Sequence, residues 1–336
     1  DLRTNSLGLE LANPLVPSAS PLSGDLDTAR RLEDAGAAAL VMYSLFEETV
    51  EAEDEAVADM LHHQDIGHPE ASTFRPVPVD YHSGLDAYLE QVSALRRSLD
   101  IPIIASLNGD TLGGWLEHAR EVELAGAAAI ELNLYHLAAD PDEDATTVEE
   151  RYLEVVRELR RQVGIPLTVK LTAQLTAPAH FIRRLEGAGA DGAVLFNRFY
   201  QPDLDLENLR VDTVPHLSRS EDLLLPVRWI ALLRERVGLS LAATGGVHTT
   251  EDALKALFAG ADVAHLCSAL LENGPEYLGQ VLTGLQTWMT QQEYDSVAQL
   301  KGSLSHERSP DPDGFERCGY IQVISQGLGT FDLDTS

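Results

Sequence analysis

The chain has almost no lysine. Lys170, Lys255 and Lys301 are all that its 336 residues contain, and most of its positive charge is arginine. With 54 Asp and Glu against 24 Lys and Arg, the formal charge is −30. Positive charge that sparse does not cluster over a phosphate backbone, which argues against nucleic acid as a partner. A solvated acidic surface is the plain reading of the excess, and a dedicated cationic partner is the other. Cysteine is short as well. Cys267 and Cys318 form neither a metal spacing nor a disulfide framework, and they supply no cluster for an iron–sulfur centre of the chain's own. Apolar runs never approach the ~20 residues that cross a bilayer, so a membrane role is not expected. No basic-plus-apolar leader precedes the first strand signal, and a reducing cytoplasm is the expected compartment.

What the chain does have is repetition. One phrase recurs as "AGAAALVM" at 35–42, "AGAAAIELN" at 125–133, "AGADGAVLFN" at 188–197 and "AGADVAHLC" at 259–267. Each ends a helical pattern and opens an apolar run, and its glycine suits the left-handed position that closes a helix. A second phrase alternates with it: "IPIIASLNG" at 101–109, "IPLTVKL" at 165–171 and "LSLAATGG" at 239–246. With "NPLVPSAS" at 13–20, these predict eight strands, near 14–18, 38–43, 101–107, 128–134, 166–171, 192–197, 240–244 and 262–267. Eight βα units whose strands are apolar on both faces imply a parallel (β/α)8 TIM barrel, with a doubly wound open sheet as the alternative. One domain over 1–336 is expected, with "LRTNSLGLELANPL" as a hairpin capping the N-terminal end. Long connections at 45–100, 137–147 and 198–222 follow strands and so belong to the C-terminal rim, where barrels build their sites. The last of them contains "DLDLENLRVDTV", which alternates like an extra hairpin.

Strand ends therefore supply the candidate residues. In order they are Ala19 and Ser20, Tyr43 and Ser44, Asn108, Asn133 with His136, Lys170, Asn197, Thr244-Gly245-Gly246, and Ser268 after Cys267. Lys170 ends an otherwise apolar strand. It reads as a snorkelling or structurally paired lysine, as a cation for an anionic cofactor ring, or as a Schiff-base amine. "TGGVHTTEDA" closes strand seven and opens a helix. It is either a tight turn alone or, with the start of the helix after strand eight, the phosphate site common in barrels, with Thr249 or Thr250 as helix cap. Asn133 and Asn197 each carry a donor and an acceptor, which suits a planar heterocycle or simply ties down a loop. His136 is a general acid/base candidate or an ordinary surface histidine.

Taken together, these residues resemble the dihydroorotate dehydrogenase family of FMN-containing barrels. The resemblance runs from "LGLELANPLVPSAS" through "ELNL", "VKL" and "FN" to "ATGGVHTTEDALKALFAGAD". It implies an FMN-dependent oxidoreductase acting on CH–CH groups, with a hydride passing between flavin N5 and a small polar, pyrimidine-like substrate, as in pyrimidine metabolism. It also implies that Ala19, Ser20, Ser44, Asn108 and Cys267 line the flavin and that Lys170 stabilises negative charge near N1 and O2. Thr244, Gly245, Gly246 and Ser268 would hold the phosphate, and Asn133 and Asn197 would face flavin and substrate. Where the family has "N-x-x-C/S-P-N" after strand four, this chain has "NLYHLA". His136 thus replaces the residue that removes the substrate proton, and Leu137-Ala138 replace the Pro-Asn. Tyr43 stands where a lysine is expected, on the substrate side. A separate electron-acceptor protein and a homo-oligomer are compatible with this reading. A Schiff-base aldolase, a dihydrouridine synthase and a non-catalytic flavin-binding protein are its rivals, and the charge of −30 weighs against a tRNA substrate.

Overall fold

The structure is a computed structural model that describes residues 1–47, 84–109, 118–134, 136–198, 201–212, 216–316, 319 and 324. Tyr135, Cys318 and most of the long 45–100 connection lie outside these residues. The chain opens with an antiparallel hairpin, β1 (Thr4–Ser6) and β2 (Leu9–Leu11), then enters β3 (Leu15–Pro17) and α1 (Leu26–Asp34). Strands and helices then alternate: β4 (Leu40–Phe46), α2 (Gly84–Ser98), β5 (Ile103–Asn108), α3 (Ala119–Leu124), β6 (Ala129–Leu134), α4 (Ala145–Gln162), β7 (Leu167–Leu171), α5 (Pro178–Ala188) and β8 (Gly192–Leu195). After a rim hairpin, β9 (Asp203–Asp205) and β10 (Arg210–Asp212), come α6 (Leu224–Leu233), β11 (Ser240–Ala243), α7 (Thr250–Ala259) and β12 (Val263–Leu266). Helices α8 (Ser268–Asn273), α9 (Tyr277–Gln291) and α10 (Val297–Leu300) follow.

The eight long-range strands are parallel in the order β3-β12-β11-β8-β7-β6-β5-β4. Ala38 N donates to Leu15 O at 3.1 Å, bringing the two ends of that order together. The result is the (β/α)8 barrel expected from the sequence, and each expected strand has its counterpart. Gly36, Gly126, Gly189 and Gly260, one in each repeated phrase, all take positive φ at the end of a helix.

Because side chains alternate along a strand, each barrel strand has an outward and an inward set. Outward residues such as Ile130, Leu132, Leu134, Val169 and Leu171 pack under the helices and form the main core. Inward residues form a second, separate cluster: Val16, Val41, Ile104, Ala129, Val194, Ala242 and Val263, closed from below by Leu7 and Leu11 of the opening hairpin. Ser240 Oγ accepts from Leu7 N at 2.8 Å, and Thr4 Oγ1 donates to Asp262 O at 3.0 Å, fastening the hairpin to the bottoms of β11 and β12. One step up each strand, the inward positions turn polar: Ser18, Ser106, Glu131, Asn133, Thr168, Lys170, Thr244 and His265 are all buried. The barrel is thus dry at its N-terminal end and polar towards its C-terminal mouth.

Candidate active site

A cavity of about 240 Å³ opens at that mouth. Its floor holds Lys170 on β7 and His265 on β12, its far end holds the 244–247 turn after β11, and Ser268 at the start of α8 completes the wall. Of the residues expected from the sequence, Ala19, Lys170, Asn197, Thr244, Gly245, Gly246, Cys267 and Ser268 line it. Ser18, Phe196, Arg198, His216, Ser218, Val247 and His265 line it as well. Among the described residues, none that lines it is Asp or Glu, in a chain with 54 of them.

Lys170 is 6% exposed, and its Nζ donates to Ser18 Oγ and to Glu131 Oε1, each at 3.3 Å. An ammonium carries three hydrogens, and these two bonds leave one for an acceptor in the cavity. His265 is also buried. Loss of solvation, helped by the nearby Lys170 charge, lowers its pKa to about 3, so the imidazole is neutral. Burial likewise raises the Cys267 thiol, which keeps it protonated and a poor nucleophile.

The two asparagines form part of a hydrogen-bonded row that runs from the end of β8, past β7, to β6, β5 and β4. Asn197 Nδ2 approaches Asn133 Oδ1 at 3.5 Å. Asn133 Nδ2 donates to Ser106 Oγ (2.9 Å) and Leu107 O (3.2 Å), and Ser106 Oγ pairs with Ser44 Oγ at 2.9 Å. Asn197 alone of this row lines the cavity, with Asn133, Ser106 and Ser44 behind it. Asn108, the register partner of Asn133, does not line the cavity either. Ser20 is buried in the turn after β3, where its carbonyl accepts from Ser23 Oγ at 3.0 Å. Tyr43 packs edge-on against Tyr88, 5.2 Å between ring centroids, outside the cavity lining.

His136 stands beyond the cavity on the rim. Its Nε2 meets Glu143 Oε2 at 2.7 Å, its backbone N–H donates to Tyr152 Oη at 2.8 Å, and Arg151 binds the other Glu143 oxygen. The hydrogen bond from His136 is the main cause that holds the Glu143 carboxyl below its ordinary range. Glu143 comes from the acidic 137–147 loop and has no signal in the sequence beyond its distance from His136.

The far end of the cavity is built from three short segments. Gly245 and Gly246 take φ of +79° and +96°, a region that L side chains rarely enter. A Cβ on Gly245 would meet only Phe196 O, at 3.5 Å, whereas one on Gly246 would collide with Leu223 N and stand 2.8 Å from Arg219 O. Gly246 is therefore required by packing against the 219–223 backbone, whereas a Cβ on Gly245 would make only an ordinary contact. Thr249 is the cap of α7 and forms a capping box with Asp252, whose carboxylate also accepts from His248 N and Ser220 Oγ. Ser268 Oγ accepts from Ser218 N at 3.0 Å and from Ser218 Oγ at 2.9 Å, and Ser218 Oγ lies 3.1 Å from His248 Nε2. The 244–247 backbone, the Ser218 and Ser268 hydroxyls and His216 meet there, with no carboxylate among the described lining residues, which fits a phosphate. Lys170 at the other end fits a ring that gathers negative charge. The donor set thus suits a mononucleotide with an electron-rich ring, as FMN is.

Comparison with known proteins agrees. Residues 81–289 match the dihydroorotate dehydrogenase family. The catalytic subunit of dihydroorotate dehydrogenase B (NAD(+)) from Thermoplasma acidophilum is 24% identical over 90% of this chain and 98% of its own length. Its counterpart from Methanothermobacter thermautotrophicus is 25% identical over 91% and 99%. Dihydroorotate dehydrogenase A (fumarate) from Lactobacillus delbrueckii subsp. bulgaricus is 24% identical over 80% and 87%. No helix among the described residues is long and apolar enough to cross a membrane. A match over more than half the chain, on a barrel whose mouth has the donors an FMN needs, places this protein in the dihydroorotate dehydrogenase family of FMN-dependent oxidoreductases that act on CH–CH groups.

Proposed function

We propose that the FMN phosphate lies against the 244–247 turn and Ser268, that its ring lies over Lys170, Ser18 and Ala19, and that the substrate is a small polar, pyrimidine-like molecule. FMN bound there supplies hydride transfer between its N5 and a C–C bond of the substrate. Lys170 presents an ammonium hydrogen where the ring gathers negative charge, an interaction that strengthens as charge develops. Asn197 offers an amide to a polar edge, and Asn133 fixes which way that amide points. Tyr43 holds a neutral phenol near the substrate side, since burial raises its pKa. His136 moves the substrate proton. Glu143 pairs with Nε2 and so orients the ring, as a carboxylate orients a histidine base.

The observation that carries this reading is a cavity whose described lining holds Lys170 and no carboxylate, in a chain of charge −30. Electrons would leave to a separate acceptor, in keeping with relatives named as catalytic subunits of an NAD(+) enzyme or as a fumarate enzyme. The protein as purified should show flavin absorbance and release a ligand with the mass of FMN. A colourless protein that takes up no added FMN would overturn the placement. Dihydroorotate should bleach the flavin slowly, because Tyr43, Leu137 and Ala138 replace groups expected to hold dihydroorotate itself, and missing polar partners cost large factors in discrimination. Bleaching by dihydroorotate within the time of mixing would show instead that the substrate is the family's usual one.

A further inference from the structure

A carboxylate inside the barrel plays no part in the chemistry above. Glu131 points inward from the middle of β6 and is 0% exposed. One of its oxygens takes Lys170 Nζ at 3.3 Å. The other has no hydrogen-bond partner and faces His265 Nδ1, also unpartnered, at 3.9 Å. A buried carboxylate is costly unless a cation compensates it, and the same holds for a buried ammonium. Glu131 and Lys170 compensate each other, and the neutral His265 adds no charge, so the floor of the cavity carries a pair whose net charge is zero.

That pair is asymmetric. Lys170 lines the cavity and Glu131 does not. A ligand in the cavity meets the ammonium first and the carboxylate behind it, and in a poorly polarisable interior the rear charge is still felt across several ångströms. We propose that Glu131 is a positioning residue for the flavin reaction: it fixes Lys170 beside Ser18 and offsets part of its charge, so that the flavin is harder to reduce than it would be above an uncompensated lysine. This rests on the reading that the FMN ring lies against Lys170.

The test is the reduction potential of bound flavin, measured by spectroelectrochemical titration at pH 7 on the flavin-loaded protein. Removing the rear carboxylate and removing the front ammonium act in opposite directions. The expected order is Glu131→Gln highest, then wild type, then the Lys170→Ala/Glu131→Gln double variant, then Lys170→Ala lowest. Glu131→Gln should change the ratio of reduced to oxidised flavin at least tenfold, which for a two-electron couple is about 30 mV. Glu131→Asp, which keeps the charge, should lie closer to wild type than Glu131→Gln does. A Glu131→Gln potential at or below that of wild type overturns the proposal. An unchanged potential in Lys170→Ala overturns the placement of the ring instead, so the two failures are distinct. If Glu131→Gln loses its circular dichroism or its flavin, the double variant decides, because it leaves no buried charge unpaired. A potential no higher than that of Lys170→Ala is then equally fatal.

Discussion

His136 and His265 sit at opposite ends of histidine behaviour, and each leads to a measurement. His136 is on the rim with a carboxylate partner, Glu143. Replacing it with Asn removes the base while keeping a polar side chain of similar size. Flavin reduction should then slow by roughly 10²–10⁴-fold, the usual effect of losing a general base, with FMN affinity little changed. Glu143→Gln should slow flavin reduction less than His136→Asn does, since only the orientation of the ring is altered. A His136→Asn variant that reduces its flavin as fast as wild type would place the proton transfer elsewhere. His265, by contrast, is buried, with a folded pKa near 3 against an ordinary 6.5. Between those two values the unfolded chain binds a proton that the folded chain excludes. Its contribution to stability is therefore complete above about pH 6.5 and falls as the pH drops towards 3, by about 1.4 kcal/mol per pH unit at most. Urea titrations of wild type and His265→Gln from pH 7 to 4 should converge as the pH falls. Parallel curves would mean that the imidazole is protonated in the folded protein.

At the scale of elements, the turn between β11 and α7 separates two glycines that look alike in the sequence. Gly245→Ala has room for its methyl and a positive φ to tolerate, a cost of about 1 kcal/mol. It should fold, melt a few degrees lower and bind FMN more weakly. Gly246→Ala drives a methyl into the 219–223 backbone, and should lower the melting temperature much further whether or not FMN is present. Equal melting temperatures for the two variants would show that the 219–223 segment yields. The same turn shows what was legible in the sequence and what was not. All eight strands and both small hairpins could be read, because buried parallel strands are short apolar runs and each repeated phrase marks a helix end with a glycine. The end of the cavity formed by the 244–247 turn and Ser268 could be read because its parts are contiguous in "TGGVHTTEDA" and "CSA". Ser218, His216 and Arg198 could not, because they reach the cavity from a rim connection whose path no local pattern fixes. Glu131 and His265 lay hidden in "AIELNL" and "VAHL". In β6, Glu131 and Asn133 alternate with Ile130, Leu132 and Leu134, but alternation alone does not say which set points into the barrel. The available signal was that each is a polar residue inside an apolar strand, as Lys170 is, and that the barrel interior is the only place where three such residues can meet.

The whole molecule is governed by its charge. Even if every Lys and Arg paired with one carboxylate, thirty carboxylates would have no cationic partner. Several of the pairs that do form, such as Arg161–Glu158 and Lys255–Glu251, join exposed side chains of neighbouring helical turns. Pairs of that kind contribute about 0–1 kcal/mol each and weaken as salt is added. Repulsion among the remaining carboxylates is also weakened by salt, as the Debye length falls from about 30 Å at 0.01 M to about 3 Å at 1 M. The two effects oppose each other in the melting temperature. The repulsion involves many charges over long distances, where screening removes it almost entirely, whereas the pairs are close contacts that screening removes only in part. Repulsion should therefore dominate. At pH 7 the melting temperature should rise steadily from 0.01 to 1 M NaCl, by several degrees, and potassium chloride should act like sodium chloride because the effect needs ionic strength and no specific site. The proposed FMN site predicts the same direction for its ligand: FMN is an anion that approaches through an acidic shell, so screening that shell should speed its association. Calorimetry of the FMN-free protein and stopped-flow binding of FMN across the same salt series would check both expectations. A melting temperature that falls with salt would show that the exposed ion pairs outweigh the excess of thirty negative charges. A flavin association rate that falls with salt would mean that the positive groups of the cavity, rather than the acidic surface, dominate the field an approaching anion meets.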